Sequence, residues 1–274
     1  MTEAMAPPVL ALHGIHKAFG HVEALTDVDL EVHAHEVVAL VGDNAAGKST
    51  LAKVVAGVLQ PDAGFIELDG EEVSVPSPAA AHSLGIATVF QDLALCDNLD
   101  VVENLFLGRE LRQPVRGPRF GRLRRAPRGL EAPRAGHTGP LDDARMEDEA
   151  RAILSSLTSR IPSVRTPVSV LSAGQRQTVA IARTLLGRPR VVVLDEPTAS
   201  LSVAQTAEVL TLIERLRDLG HAVILISHNM NDVRAVADRV EVLRHGRNNG
   251  AFPARTASYE SVLAAITGAT TVPR

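Results

Sequence analysis

Five consecutive apolar residues, Val37-Val38-Ala39-Leu40-Val41, run straight into Gly42-Asp43-Asn44-Ala45-Ala46-Gly47-Lys48-Ser49. That junction constrains the chain more than any other. An unbroken apolar run of this length fits a strand covered on both faces, as in a parallel sheet flanked by helices. The residues after it match G-x-x-x-x-G-K-[ST], and a helical pattern predicted over 48–59 follows. The glycines let the backbone aim its N–H groups inward at a helix N-terminus, which makes a concave site for anions. Lys48 can reach terminal phosphates there, and the Ser49 hydroxyl can ligate Mg²⁺. An ordinary glycine turn that happens to precede Lys-Ser explains the loop but not its flanks.

Such a loop is shared by kinases, GTPases and many ATPases, and a second feature narrows the field. Val191-Val192-Val193-Leu194-Asp195-Glu196 is an apolar strand ending in two adjacent carboxylates. Asp195 stands where a strand-end carboxylate holds the Mg²⁺ shell. Glu196 can orient and polarise a water, which favours hydrolysis over transfer to an organic acceptor.

The remaining pattern is α/β. Apolar runs at 191–194 and 223–226 enclose a helix predicted over 203–219, and Val28, Leu30 and Val32 alternate as in a half-buried strand. A short strand predicted over 65–68 stops at Asp69-Gly70. Residues 142–156 read as a helix with Met146, Ala150, Ile153 and Leu154 on one face. Buried strands alternating with helices indicate a mostly parallel sheet with helices on both faces.

Composition excludes several classes. The 274 residues fit one large or two modest domains. Aromatics at 3%, no Trp and a single Tyr argue against a chain whose main work is stacking bases of nucleic acid on aromatic platforms. Cys96 is the sole cysteine, which excludes an intramolecular disulfide and a cysteine zinc cluster; it reads as a small packed hydrophobe in a reducing compartment. The first basic residue is Lys17, and no run nears the ~18 apolar residues of a membrane span, so a soluble cytoplasmic chain is expected unless a partner holds it at a membrane. The net charge of −4 is unevenly spread, with nine Arg against two Glu between Arg109 and Arg134. Pro114, Pro118, Pro127 and Pro133 punctuate that window, which reads as an irregular or mobile insertion: a solvated loop or, alternatively, a contact with anionic headgroups.

Leu171-Ser172-Ala173-Gly174-Gln175 resembles the signature segment L-S-G-G-Q of ATP-binding cassette (ABC) ATPases. Three further residues fall in that family's order. Gln91, after a strand predicted over 86–90, resembles its Q-loop glutamine, and His228, after 223–226, resembles its switch histidine. Phe19 in Lys17-Ala18-Phe19-Gly20 resembles the aromatic that stacks on adenine, although it could equally be a core ring. The stretch from Gln91 to Glu110 is similar to a subset of the family, the ATPase subunits of monosaccharide importers of ribose, xylose and fructose type, here in a single-cassette form.

The resemblance covers nearly the whole chain and implies a P-loop NTPase core with a mostly parallel sheet, an antiparallel β subdomain and an inserted α-helical signature subdomain. Within a single ABC ATPase domain over 1–274, residues 1–92 and 189–274 form the core with its N-terminal antiparallel part. Residues 93–188 form the helical subdomain, including the insertion at 109–140. The implied ligands are ATP, held by Gly42, Asp43, Asn44, Ala45, Ala46, Gly47, Lys48, Ser49, Thr50, Phe19, Ser172, Gly174 and Gln175, and Mg²⁺, held by Ser49, Gln91 and Asp195. Glu196, His228 and Gln91 are the implied catalytic residues. The implied partners are a second copy of the chain, head to tail, transmembrane permease subunits and, indirectly, a sugar-binding protein, with the chain peripheral on the inner face of the membrane and no nucleic acid. The segment after Gln91 helps form the groove for a permease helix.

Two residues depart from the family pattern. Ala173 replaces a glycine and carries a Cβ that costs energy wherever φ must be positive. Ser202, in Ser200-Leu201-Ser202, lacks the carboxylate of A-L-D. Rival readings are a soluble ABC ATPase acting on DNA or ribosomes, which long heptad arms or paired cassettes would mark, and a weakly hydrolysing docking module.

Overall fold

The computed structural model describes residues 7–113, 139–157 and 161–269. Residues 114–138, which include most of the Arg/Pro-rich insertion expected over 109–134, lie outside the described residues.

The run Val37–Val41 is a strand, β3, and all five of its residues are buried. Its alternate side chains enter different cores: Val38 and Leu40 face one cluster, while Val37, Ala39 and Val41 face the other. The strands β7 (Val191–Asp195) and β8 (Ala222–Ile226) divide in the same way, with Val191 and Val193 in one core and Val192 and Leu194 in the other. A strand with both faces dry has no polar position to spare, hence the unbroken apolar sequence.

These strands belong to a six-stranded sheet of order β10-β9-β3-β8-β7-β6, with β6 at Ile86–Val89, β9 at Arg239–Arg244 and β10 at Arg247–Pro253. The strands from β9 to β6 run parallel, and β10 closes the edge antiparallel to β9. A second sheet, order β2-β1-β4-β5, is antiparallel throughout; its strands are β1 (Leu10–Phe19), β2 (Val22–Val32), β4 (Ala63–Leu68) and β5 (Glu71–Val73).

Between the two sheets lies α1 (Lys48–Val55), whose Leu51, Val54 and Val55 join Leu10, Leu12, Ile15 and Val28 in one core. The helix predicted over 48–59 stops at Val55 because Gly57 takes φ 69, a left-handed bend that ends the turn. The other face of the six-stranded sheet carries α5 (Ala173–Leu185), α6 (Val203–Asp218), α7 (Met230–Val236) and α8 (Tyr259–Thr267).

Between β6 and β7 the described regular elements are helical: α3 (Val101–Phe106), α4 (Asp143–Ser156), a 3-10 turn at Val168–Val170, and α5. The remaining helix, α2 (Pro78–Ser83), precedes β6. Strand β1 escapes the alternation rule for a local reason. Its register against β2 shifts between Leu12 and Ile15, where Gly14 takes φ 54, so inward residues are spaced by three instead of two.

Candidate functional site

Because β3, β6, β7 and β8 are parallel, their carboxyl ends lie along one edge of the sheet, where α/β folds bind ligands. The loop Gly42 to Gly47 leaves β3 at this edge, Asp195 and Glu196 end β7, Gln91 follows β6 by two residues, and His228 follows β8 by two. The sequence motifs therefore converge although they stand far apart in the chain.

The phosphate loop is fixed by what surrounds it. A Cβ on Gly42 would stand 2.2 Å from the Leu243 carbonyl oxygen, and one on Gly47 would stand 2.7 Å from that of Ala24. Gly47 also takes φ 103 as the N-cap of α1, which no L side chain adopts cheaply. Gly246, in the turn between β9 and β10, donates its N–H to Ala46 O at 3.1 Å, and Thr26 N–H donates to Gly246 O at 2.7 Å. Ala45 sits at φ 62, a left-handed conformation that costs about 1–2 kcal/mol in a residue with a Cβ.

Helix α1 begins with no side-chain cap and no acidic residue in its first turn. Its free N–H groups and dipole thus face the loop and favour an anion. Lys48 is buried and donates from Nζ to Gly42 O (2.8 Å) and Asp43 O (2.9 Å). Burial pushes its ammonium below the ordinary lysine range, against the pull of Glu196, Asp195 and Asp43.

Asp195 is buried, and its Oδ1 has no hydrogen-bond partner. Desolvation raises its carboxyl above the usual range and the Glu196 charge adds to this, while a hydrogen bond with Ser49 and the charges of Lys48 and Lys53 oppose it. Glu196 takes φ 52, a strained conformation for a non-glycine residue, and its N–H donates to Ile226 O at 3.0 Å. His228 Nδ1 lies 2.8 Å from Glu196 Oε2, and its imidazole is 71% exposed against 18% for the carboxylate. The sequence suggested separate tasks for these two residues, and the structure brings them into contact.

The signature segment has a different character. Ser172 is exposed and caps α5: its Oγ accepts from Gln175 N–H (3.2 Å) while Gln175 Oε1 accepts from Ser172 N–H (2.9 Å). Ala173 is the first residue of the helix and has no positive φ, so its Cβ costs nothing there. Gly174 is buried, and a Cβ on it would come within 3.1 Å of the Gln205 side chain. Ser202 repeats the arrangement as the cap of α6, with Gln205 as its reciprocal partner. Phe19 lies at the end of β1, half exposed, with Lys17 Nζ 5.8 Å from its ring centroid. Gln91 is exposed.

Several supporting residues were not legible as functional. Asp232 is buried on α7, and its carboxylate accepts from Thr198 Oγ1 (2.6 Å) and Asn229 Nδ2 (3.1 Å), tying the loop after Glu196 to the segment after His228. Asn104 on α3 is fully buried; its Oδ1 accepts from Cys96 N–H at 2.7 Å and its amide donates to Cys96 O at 3.0 Å. Arg183 on α5 donates to Leu93 O (2.8 Å) and Ala94 O (2.9 Å). Asn104 and Arg183 thus shape the loop that follows Gln91. Beside that loop is a cavity of about 370 Å³, lined among others by Val58, Phe90, Leu93, Leu107, Arg109 and Arg183. Among the described residues no group of three or more His, Cys, Asp or Glu side chains could hold a metal by itself, and no helix is long and apolar enough to cross a membrane.

A parallel sheet with a glycine loop, a lysine at the helix start and a strand-end carboxylate defines an α/β P-loop NTPase. Residues 25–199 match the ABC transporter family, and the chain belongs to it. It is 39% identical over 269 residues to the fructose import ATP-binding protein FrcA of Rhizobium meliloti, covering 97% of this chain and 96% of that protein. It is 41% identical over 243 residues to the ribose import ATP-binding protein RbsA 2 of Rhizobium etli, but that match covers 89% of this chain and only 43% of the relative. Among solved structures, an ATP-binding cassette of an ABC transporter in its ADP conformation superposes with a TM-score of 0.75 over 95% of each chain, at 24% identity. That likeness establishes the fold. The chain spans nearly all of the fructose-type relative and about half of the ribose-type one.

Proposed function

We propose that the chain is the ATP-hydrolysing subunit that powers import of a sugar, a monosaccharide on the present reading, through a partner membrane permease. The supporting names are those of the relatives, a fructose and a ribose import ATP-binding protein. The observation that carries the chemistry is the Glu196 carboxylate, held on a strained bend at the end of β7 beside the phosphate loop.

In this reading Gly42 to Thr50 wrap the phosphates, Lys48 exchanges its two loop carbonyls for β- and γ-phosphate oxygens, and Phe19 stacks on adenine. The orphaned, buried Asp195 Oδ1 and the neighbouring Ser49 hydroxyl form an oxygen set that fits a hard cation, so Ser49, Asp195 and Gln91 would hold Mg²⁺. When bound, Mg²⁺ neutralises charge on the terminal phosphates. Glu196 polarises the attacking water. His228, exposed and already touching Glu196, turns to the γ-phosphate.

Ser172, Gly174 and Gln175 complete the site of a second copy, head to tail across a two-fold axis, so that two ATP molecules join the pair. Hydrolysis releases that joint and switches the permease, seated in the cavity beside Leu93 and Arg183 on the inner face of the membrane, between two states. Residues 1–92 and 189–274 act as the core and 93–188 as the helical subdomain in this scheme. Replacing Glu196 with Gln tests it: ATP binding is retained while hydrolysis falls on the order of 10²–10³-fold. Turnover near wild type in a permease-reconstituted complex would remove Glu196 from the mechanism.

A further inference from the structure

The tip of the β1–β2 hairpin carries an aromatic ring that is half open to solvent. Phe19 pairs with Val22 across the Gly20-His21 turn and is 49% exposed. The β1–β2 register shifts twice just before it, between Ile15 and Lys17 and between Lys17 and Ala18, so the pairing that reaches this end is irregular.

One residue from the loop between α1 and β4 adds a second hold on this end. Asp62 accepts from Lys17 Nζ with one carboxylate oxygen and from Ala18 N–H with the other, both at 2.7 Å, and its own N–H donates to His16 O at 2.8 Å. Three successive residues leading to Phe19 are thereby clamped. The hydrogen bond from Lys17, with that from Ala18 second, holds the Asp62 carboxyl below its ordinary range. The clamped ammonium in turn lies over the Phe19 ring, 5.8 Å from its centroid, while about half of the residue stays open to solvent and to a flat partner. The hairpin tip adjoins the phosphate loop: Gly47 rests on the Ala24 carbonyl, two residues or about 7 Å of strand from Val22.

We propose that Asp62 is a positioning residue for the nucleotide base, fixing the Phe19 ring through Lys17 and Ala18 so that adenine stacks on it. This rests on the stacking role given to Phe19 above. The test is calorimetric titration of ATP and of inorganic tripolyphosphate, which has the phosphates but no base, each with Mg²⁺. The proteins compared are wild type, Asp62→Ala, Asp62→Asn, Phe19→Ala and the Phe19→Ala/Asp62→Ala double variant.

Asp62→Ala weakens ATP about five- to tenfold and leaves tripolyphosphate within about twofold. In the Phe19→Ala background the same change adds little, because the two residues act as one unit. Asp62→Asn keeps an acceptor for Ala18 but loses the ion pair, and falls between. Equal weakening of both ligands, or additive losses in the double variant, overturns the proposal. If Phe19→Ala weakens ATP and neither Asp62 variant does, only the positioning role falls. If Phe19→Ala changes nothing, the stacking reading falls and takes the proposal with it.

Discussion

The phosphate loop and the signature segment are both built at the start of a helix, yet by opposite means. The loop is gripped from outside: Leu243 and Ala24 leave no room for side chains on Gly42 and Gly47, and Gly246 bonds to Ala46. Its helix is left uncapped, so the N–H groups remain for a ligand. The signature helix satisfies its own first turn through the reciprocal bonds of Ser172 and Gln175, and Ser172 stays exposed. The first region is a socket whose uncapped N–H groups favour an anion. The second is a finished surface that can present itself to a site elsewhere.

The comparison is broken most directly at Lys48. Lys48→Ala removes the cation of the socket and leaves the signature untouched, so ATP affinity falls at least about tenfold, as for loss of a charge-assisted contact; unchanged affinity by calorimetry would contradict the socket. Asp195→Asn acts with two signs. Burial and the Glu196 charge raise the Asp195 carboxyl, so its ionised form is disfavoured in the folded chain. The native carboxyl therefore contributes stability below its unfolded value and loses it as pH rises through the higher folded value. The neutral amide raises the melting temperature of the nucleotide-free protein at pH 7 by a few degrees while abolishing the Mg²⁺ dependence of ATP binding. Thermal melts at pH 5 and 7 check the first effect, since the stabilisation shrinks toward the acid side.

Two alanines sharpen the contrast with smaller effects. Ala45 is left-handed in the socket, so Ala45→Gly stabilises the nucleotide-free protein by up to about 1 kcal/mol. Ala173 is helical, so restoring a glycine there costs about 0.5–1 kcal/mol. Urea unfolding of both variants should give opposite signs; a matching sign would refute the local backbone account.

Much of this was legible in the sequence, and for physical reasons. A strand dry on both faces cannot hide its pattern, so β3, β7 and β8 read directly from Val37–Val41 and the runs after Arg190 and His221. The motifs around the site stand at strand ends, where fold and chemistry coincide. Strand β1 was obscured because the bulge at Gly14 breaks the period of two. Asp232 was silent because its work is a long-range side-chain contact: nothing in Met230–Val236 announces that it will meet Thr198. Asn104 was silent because its buried amide bonds to the backbone of the preceding loop, which a helical pattern does not reveal. The neutrality of Ala173 depends on a dihedral angle that a motif does not encode.

The central claim is that each socket is completed by the signature of another copy. It is tested by mixing two inactive variants, Lys48→Ala, which lacks a socket, and Ser172→Arg, which lacks a signature, and measuring ATP hydrolysis. If the halves come from different chains, mixed pairs carry one intact site and the mixture hydrolyses ATP well above either variant alone, at up to about a quarter of the wild-type rate. A mixture no more active than its components would contradict the account.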